Sequence, residues 1–287
     1  MLRKILNFID NSLTSLHHKW WNFLNWHQQY QVEPFSVRYW WTRQQIVTEV
    51  CDHILTAPED WKTYIRDPRF QFYDERIVEY SWAMRHISQL GKKERFLDVG
   101  CVMNTHYCLE KLLQQFSDIH FLNLVSEPLA LQGRISFHSQ DIRQCNLPPH
   151  SFDCITCIST LEHVGGDNSY NSFSLNGSAE TQASPINSVT SWQQGFTELL
   201  RLLTTDGLLL VSMPFGKGAW INGEYYLGEN DLKNFYDIAS SYQRQINITL
   251  FQKNEHGWYE KEMPYSLPPK MTSSTAGAST VLLVKII

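Results

Sequence analysis

The chain has 287 residues, 43% hydrophobic and 18% charged, a balance that excludes a disordered chain and allows one domain with an extension or two small domains. Its net charge of -5 supplies no field to gather nucleic acid, so no nucleic-acid partner is expected. No run reaches the roughly 20 apolar residues of a membrane-spanning helix, and no apolar signal core with a small-residue cleavage site opens the chain, so the expected compartment is the cytoplasm.

Residues 1–72 are dense in Trp, Tyr and His and read as a helical extension. Within them Leu2, Leu6, Ile9, Leu13, Leu16, Trp20 and Phe23 recur at alternating spacings of four and three, which predicts one apolar stripe on an amphipathic helix. Such a stripe needs a cover: its own core, a second copy of the chain in a homodimer, or a membrane surface touched through residues 1–30. Arg3, Lys4 and Lys19, with Trp20 and Trp21, are the residues that would favour peripheral membrane contact.

From about residue 73 to 287 strand and helix signals alternate. Strands are predicted at 96–100, 119–125, 134–140, 152–159 and 207–214, short runs of Val, Ile, Leu and Phe that suit a buried parallel sheet. A helix is predicted at 105–116, with Leu109, Leu112 and Phe116 on one face. Another is predicted at 188–204, with Ser188 as N-cap and Gly207 past its end. The runs 245–253 and 279–287 have no crossover helix between them, so they should pair antiparallel. The expected fold is therefore α/β and Rossmann-like: a seven-stranded sheet of five parallel strands plus an antiparallel C-terminal pair, with helices on both faces. The polar, aperiodic stretch 165–187 reads as a lid-like insertion.

Six cysteines are present, and Cys154 with Cys157 forms a C-x-x-C. That pair falls inside the apolar run FDCITCIST, where residues three apart face opposite sides of a strand. It can neither grip a metal nor close a bridge, so no metal site is expected and the cysteines read as core residues in a reducing compartment.

Three polar clusters fall at the predicted carboxyl ends of neighbouring strands, where this architecture builds sites. They are Asp98-Val99-Gly100-Cys101, Gln140-Asp141-Ile142, and Ile158-Ser159-Thr160-Leu161-Glu162-His163. With LDVGC at 97–101, QDIRQCNLPPHSFDCITCISTLEHVG at 140–165 and ELLRLLTTDGLLLVSMPFGKG at 198–218, residues 74–287 resemble the class I S-adenosylmethionine-dependent methyltransferases of small-molecule or sugar type. The segment 74–87 is similar to the helix that precedes the first strand in that family.

The resemblance implies methyl transfer from S-adenosylmethionine to an oxygen or nitrogen of a small-molecule or carbohydrate-like acceptor. It implies that Gly100 and Cys101 meet the methionine end of the cofactor, and that Asp98 positions their loop or accepts from the ammonium. Asp141 would accept from the adenine amino group, Ile142 would wall the adenine, and Ile158 and Ser159 would border the methyl. His163 would be the general base, with Glu162 as its orienting partner; the other reading of His163 is a structural histidine bonded to backbone. Alignment of nucleophile, methyl and sulfur can supply roughly 7–11 kcal/mol, and a base about 10²–10⁴-fold.

Two departures from the family pattern bear on binding. Val102 and Asn104 stand where further glycines are usual, and a β-branched residue avoids positive φ. The acidic residue after strand two, expected to take the ribose hydroxyls, arrives about two positions late as Glu127. These departures also suit a catalytically inactive binding or scaffold protein of the same fold. Another Rossmann-like nucleotide enzyme fits less well, since no G-x-G-x-x-G is present and the sheet should end antiparallel.

Overall fold

The computed structural model describes residues 33–166, 190–221, 223–262, 278 and 280–287. The stripe from Leu2 to Phe23 lies outside them, and so does the 165–187 stretch apart from Gly165 and Gly166.

The described chain opens with helix α1 (Val37–Thr56), capped by Ser36, whose hydroxyl accepts from the Tyr39 amide at 3.1 Å. Its buried positions Tyr39, Ile46, Val47, Val50 and Ile54 keep to one face. A short turn of helix, α2 (Trp61–Tyr64), leads to α3 (Arg76–Ser88), which is buried along most of its length. Then follow β1 (Lys93–Val99), α4 (His106–Gln115), β2 (Phe116–Asn123), β3 (Ile135–Ser139), β4 (Phe152–Ile158), α5 (Ser191–Leu202) and β5 (Leu203–Pro214). A small hairpin, β6 (Ala219–Ile221) with β7 (Glu224–Tyr226), precedes α6 (Glu229–Ser241). Strands β8 (Ile246–Asn254), β9 (Gly257–Lys261) and β10 (Thr280–Ile286) complete the chain.

The main sheet runs in the order β3-β2-β1-β4-β5-β10-β8-β9. The first five strands are parallel, and β10 lies antiparallel between β5 and β8. This is the expected mixed sheet, with a correction of number: eight strands rather than seven. The added strand is β9, an antiparallel hairpin partner of β8. Its turn is made by Asn254, whose side chain accepts from the His256 amide at 2.8 Å, and by Gly257 at φ +94°.

Side chains alternate across the strands into two cores. Phe96, Cys154, Ile158, Leu210, Phe251 and Leu283 face α1, α3 and α4. Leu97, Ile155, Cys157, Leu209, Val211 and Leu282 face α5 and α6. Cys154 and Cys157 thus lie on opposite faces, and all six cysteines are buried and free. Residues 37–72 contribute to the first core through Tyr39, Ile54, Trp61 and Phe70.

Helix α5 is shorter than expected, starting at Ser191 behind Thr190, and Ser188 is outside the described residues. Gly207 does not end it. The chain enters β5 directly at Leu203, and Gly207 sits inside that strand beyond a shift in register against β4. Among the described residues no helix is long and apolar enough to cross a membrane.

The β8–β9 turn presses on the N-terminal segment. A Cβ on Gly257 would lie 2.5 Å from the Asp67 carbonyl oxygen and 2.6 Å from that of Ile65. Gly257→Ala should therefore destabilise the fold by about 1–3 kcal/mol, through both the positive φ and this contact. Urea unfolding of the variant beside the wild type measures the loss.

Candidate active site

The carboxyl ends of β1, β2, β4 and β5 meet at the point where the strand order turns from β1 to β4, the place where this architecture opens a ligand crevice. Asp98, on β1, is fully buried, and each of its oxygens is engaged. One accepts from the Thr156 hydroxyl of β4 at 2.6 Å, the other from the Met103 amide at 2.7 Å. Burial pushes its carboxyl up to about 7, against the pull of these two bonds. Of the two roles implied for Asp98, the geometry provides loop positioning.

Positive φ in the loop falls on Gly100 (95°) and Cys101 (58°), and Val102 and Asn104 avoid it. The conformation that would strain a β-branched residue is thus carried one position earlier. Val102 is half-buried and its carbonyl accepts from the Tyr80 hydroxyl at 2.6 Å. Asn104 does a different job from a glycine. Its amide nitrogen donates to the Pro128 carbonyl and its oxygen accepts from the Ala130 amide, both at 3.0 Å, binding this loop to the segment after β2.

The bare face of Gly100 is not open. A Cβ there would fall 2.0 Å from the Thr160 hydroxyl oxygen, so the glycine is required by the turn that ends β4. The space that a Cβ would take is used by Thr160. Cys101 is buried as well, and burial pushes its thiol well up. In the segment after β2, Glu127 is exposed and accepts from the Asn123 side chain at 2.8 Å. Burial on its inner side raises its carboxyl and Asn123 opposes this, while its charge acts on both Asp98 and Cys101.

Asp141 follows β3 and is held by its own neighbour. Arg143 donates to it from the backbone amide (2.9 Å), from Nε to both oxygens (3.1 and 3.0 Å) and from a terminal nitrogen (2.5 Å). Although burial alone would raise this carboxyl, Arg143 holds it below the usual range. A carboxylate has about four lone-pair positions, and these contacts fill them. Ile142 is buried against α5 rather than exposed as a wall, and Ile158 is fully buried in the core.

Ser159, at φ 39°, has its hydroxyl on Glu79, a residue of α3 absent from the sequence-derived site. One oxygen of the fully buried Glu79 accepts from Ser159 and from Ser212 of β5, both at 2.6 Å. The other meets Arg76 at 2.7 Å. Around Arg76 gather further acids. Glu162 is 3% exposed, its Oε2 has no hydrogen-bond partner, and burial raises it well above the carboxylate range. Burial also raises Glu224, of the β6–β7 hairpin, against the charge of Arg76. His163 is half-buried, and burial with the Arg76 charge lowers it to about 4, so it is neutral at pH 7. No hydrogen bond joins Glu162 to His163; both belong to one short turn of helix, and their common neighbour is Arg76.

Glu79, Arg76, Ser212 and Glu224 escaped the sequence reading because their elements are separate in sequence. The available signal was a Glu at i+3 from an Arg on an otherwise apolar helix, a pair that burial would force together. Among the described residues no cluster of three or more His, Cys, Asp or Glu could hold a metal.

No family model matches the chain, and no curated protein matches it. Solved structures do. The N-methyltransferase NodS from Bradyrhizobium japonicum WM9, in complex with S-adenosylhomocysteine, is 15% identical over 85% of this chain and 97% of its own, with a TM-score of 0.46. A SAM-dependent methyltransferase from Leishmania major is 10% identical over 87% and 83%, with a TM-score of 0.43. The CurJ carbon methyltransferase is 13% identical over 86% and 68%, at 0.43. The assignment of a class I methyltransferase-like fold stands on the sheet itself: five parallel strands closed by an antiparallel pair.

Two measurements probe this geometry. Glu79→Gln leaves Arg76 without its charge partner and should cost about 3–5 kcal/mol, read as a drop in thermal midpoint. His163 should titrate near pH 4 in the folded protein, followed by its ring proton signals. Because its folded value lies below the unfolded 6.5, its contribution to stability is present above about pH 6.5 and is lost as pH falls towards 4. His163→Gln should remove that part of the acid loss; an unchanged profile would contradict the assignment.

Proposed function

We propose that the protein transfers a methyl group from S-adenosylmethionine to an oxygen or nitrogen of a small-molecule or carbohydrate-like acceptor. The observation that carries this reading is the convergence, at the β1/β4 reversal of a methyltransferase-like sheet, of a braced loop after β1, an exposed carboxylate after β2 and a buried acid–histidine cluster after β4.

The residues fit the cofactor best at its ribose. Glu127, oriented by Asn123, is an exposed acceptor for two hydroxyls, and the loop beside it is already fixed by Asp98, Tyr80 and Asn104. The adenine end is less prepared, since Arg143 saturates Asp141. Bound S-adenosylmethionine would supply a methyl group already activated on a sulfonium. The chain's own work is then to position the acceptor and receive its proton. His163, neutral at pH 7, has a free basic site for that proton. Burial biases Glu162 toward its protonated form, in which it would donate a hydrogen bond to an acceptor oxygen or nitrogen.

A second reading is an inactive binding or scaffold protein of this fold. The Thr160 side chain over Gly100 and the closed Asp141–Arg143 pair favour it.

Calorimetry with S-adenosylmethionine and S-adenosylhomocysteine tests cofactor binding, and release of S-adenosylhomocysteine with candidate acceptors tests transfer. Binding without transfer would favour the second reading, and no heat with either compound would sink both. Glu127→Ala should weaken binding by about ten- to a hundredfold. Arg143→Ala frees the Asp141 carboxylate and should tighten it, by about tenfold at most. Binding that ignores both substitutions would place the cofactor elsewhere.

A further inference from the structure

A second concavity lies away from the crevice. Helix α3 begins at the crevice with Arg76 and Glu79 and ends with Arg85 and His86, about 15 Å further along its axis. There it meets the edge where β10 ends beside the start of β8, with Ile286 paired to Ile246. Between them is a pocket of about 510 Å³, the size of a small-molecule site. Four basic side chains line it, Lys62, Arg85, His86 and Lys285, and among the described residues no Asp or Glu does. Asn247 and Thr249 add neutral polar groups.

The basic groups are unevenly satisfied. Lys62 pairs with Glu260 at the rim. Among the described residues Arg85 makes one bond, from Nε to the Pro58 carbonyl at 3.3 Å, and its terminal nitrogens make none. Lys285 forms no ion pair among the described residues. Trp82, perpendicular to the imidazole at 5.5 Å, fixes the His86 ring. Burial first, then Lys285 and Arg85, lower His86 to about 4 against a hydrogen bond with Gln89. Arg85 and Lys285 thus hold like charges around one cavity, and an anion entering it would relieve their repulsion.

We infer that this pocket binds the phosphoryl group of a small molecule, at a site separate from the crevice. A guanidinium fork, an ammonium and an imidazole N–H offer more donors and more charge than one carboxylate can use. A phosphoryl group, with three terminal oxygens and close to two negative charges, matches them. The concave shape favours a compact ligand over the flat surface of a bilayer.

The probes are diphosphate, citrate and phosphatidylcholine vesicles carrying phosphatidic acid, each offered to the full chain. Diphosphate should give saturable heat and shift the His86 ring signals. Arg85→Gln and Lys285→Gln should each weaken it by about ten- to a hundredfold, with far-UV circular dichroism and melting reporting that both variants fold. If either variant unfolds, displacement of the His86 signals by diphosphate in the wild type carries the test. No binding of diphosphate, equal binding by the double variant, or tighter binding of citrate would each overturn the assignment. Vesicle co-sedimentation lost in the double variant, without diphosphate binding, would overturn it in favour of a lipid surface.

Discussion

The crevice depends on the buried carboxylate of Glu79. It joins α3, the end of β4 and the end of β5 at once, through Arg76, Ser159 and Ser212. The Ser159 amide also donates to Ser212, at 3.0 Å to its hydroxyl and 3.2 Å to its carbonyl, so the turn after β4 is fixed from both sides. That turn takes a positive φ at Ser159, a conformation that costs energy in a non-glycine residue and persists only where its surroundings over-determine it. From it Thr160 lies across Gly100, which ties the β4 turn to the loop after β1. Asp98 completes the frame by joining β1, β4 and the same loop.

Much of this was legible in the sequence, for a physical reason. Strands buried on both faces need apolar runs, and β1, β4 and β5 carry them toward their carboxyl ends, so those ends could be read directly. The antiparallel pairing of β8 with β10 followed from the missing crossover. What failed to show was the irregular structure. Strand β9 is a five-residue element made by a turn, and the β6–β7 hairpin has three residues a side, too short for a period to register. At the site, chain position located Asp98, Glu127, Asp141, Glu162 and His163 near the sheet's edge. It could not tell which carboxylates were already spoken for. Asp141 looked available because its partner, Arg143, sits two residues away, where a strand-based reading places it on the same face without implying a closed pair.

The glycine-poor loop shows how one backbone course can be supported by different residues. Where glycines would leave the loop free and open, here it is held by hydrogen bonds: Asp98 to Met103, Tyr80 to Val102, Asn104 to Pro128 and Ala130. A loop fixed in advance loses less conformational entropy when it meets a ligand. The same bonds reduce its ability to adjust, so affinity rests on how well the fixed shape matches. The exposed Glu127 is the part of the wall still free to move toward a partner.

The acids around Arg76 follow a single logic. Burial disfavours every charged form, so it raises Glu162 and Glu224 and lowers His163 at the same time. At neutral pH this leaves an unprotonated imidazole beside carboxyls that burial biases toward their protonated form, near one fixed positive charge. In the proposed methyl transfer a neutral acceptor ends with a proton to dispose of, and His163 would take it against burial and against Arg76. An ionised carboxylate beside the imidazole would ease that step by pairing with the imidazolium. Burial raises Glu224 and the Arg76 charge pulls it the other way. In a buried site a charge formed next to a partner costs far less than an isolated one.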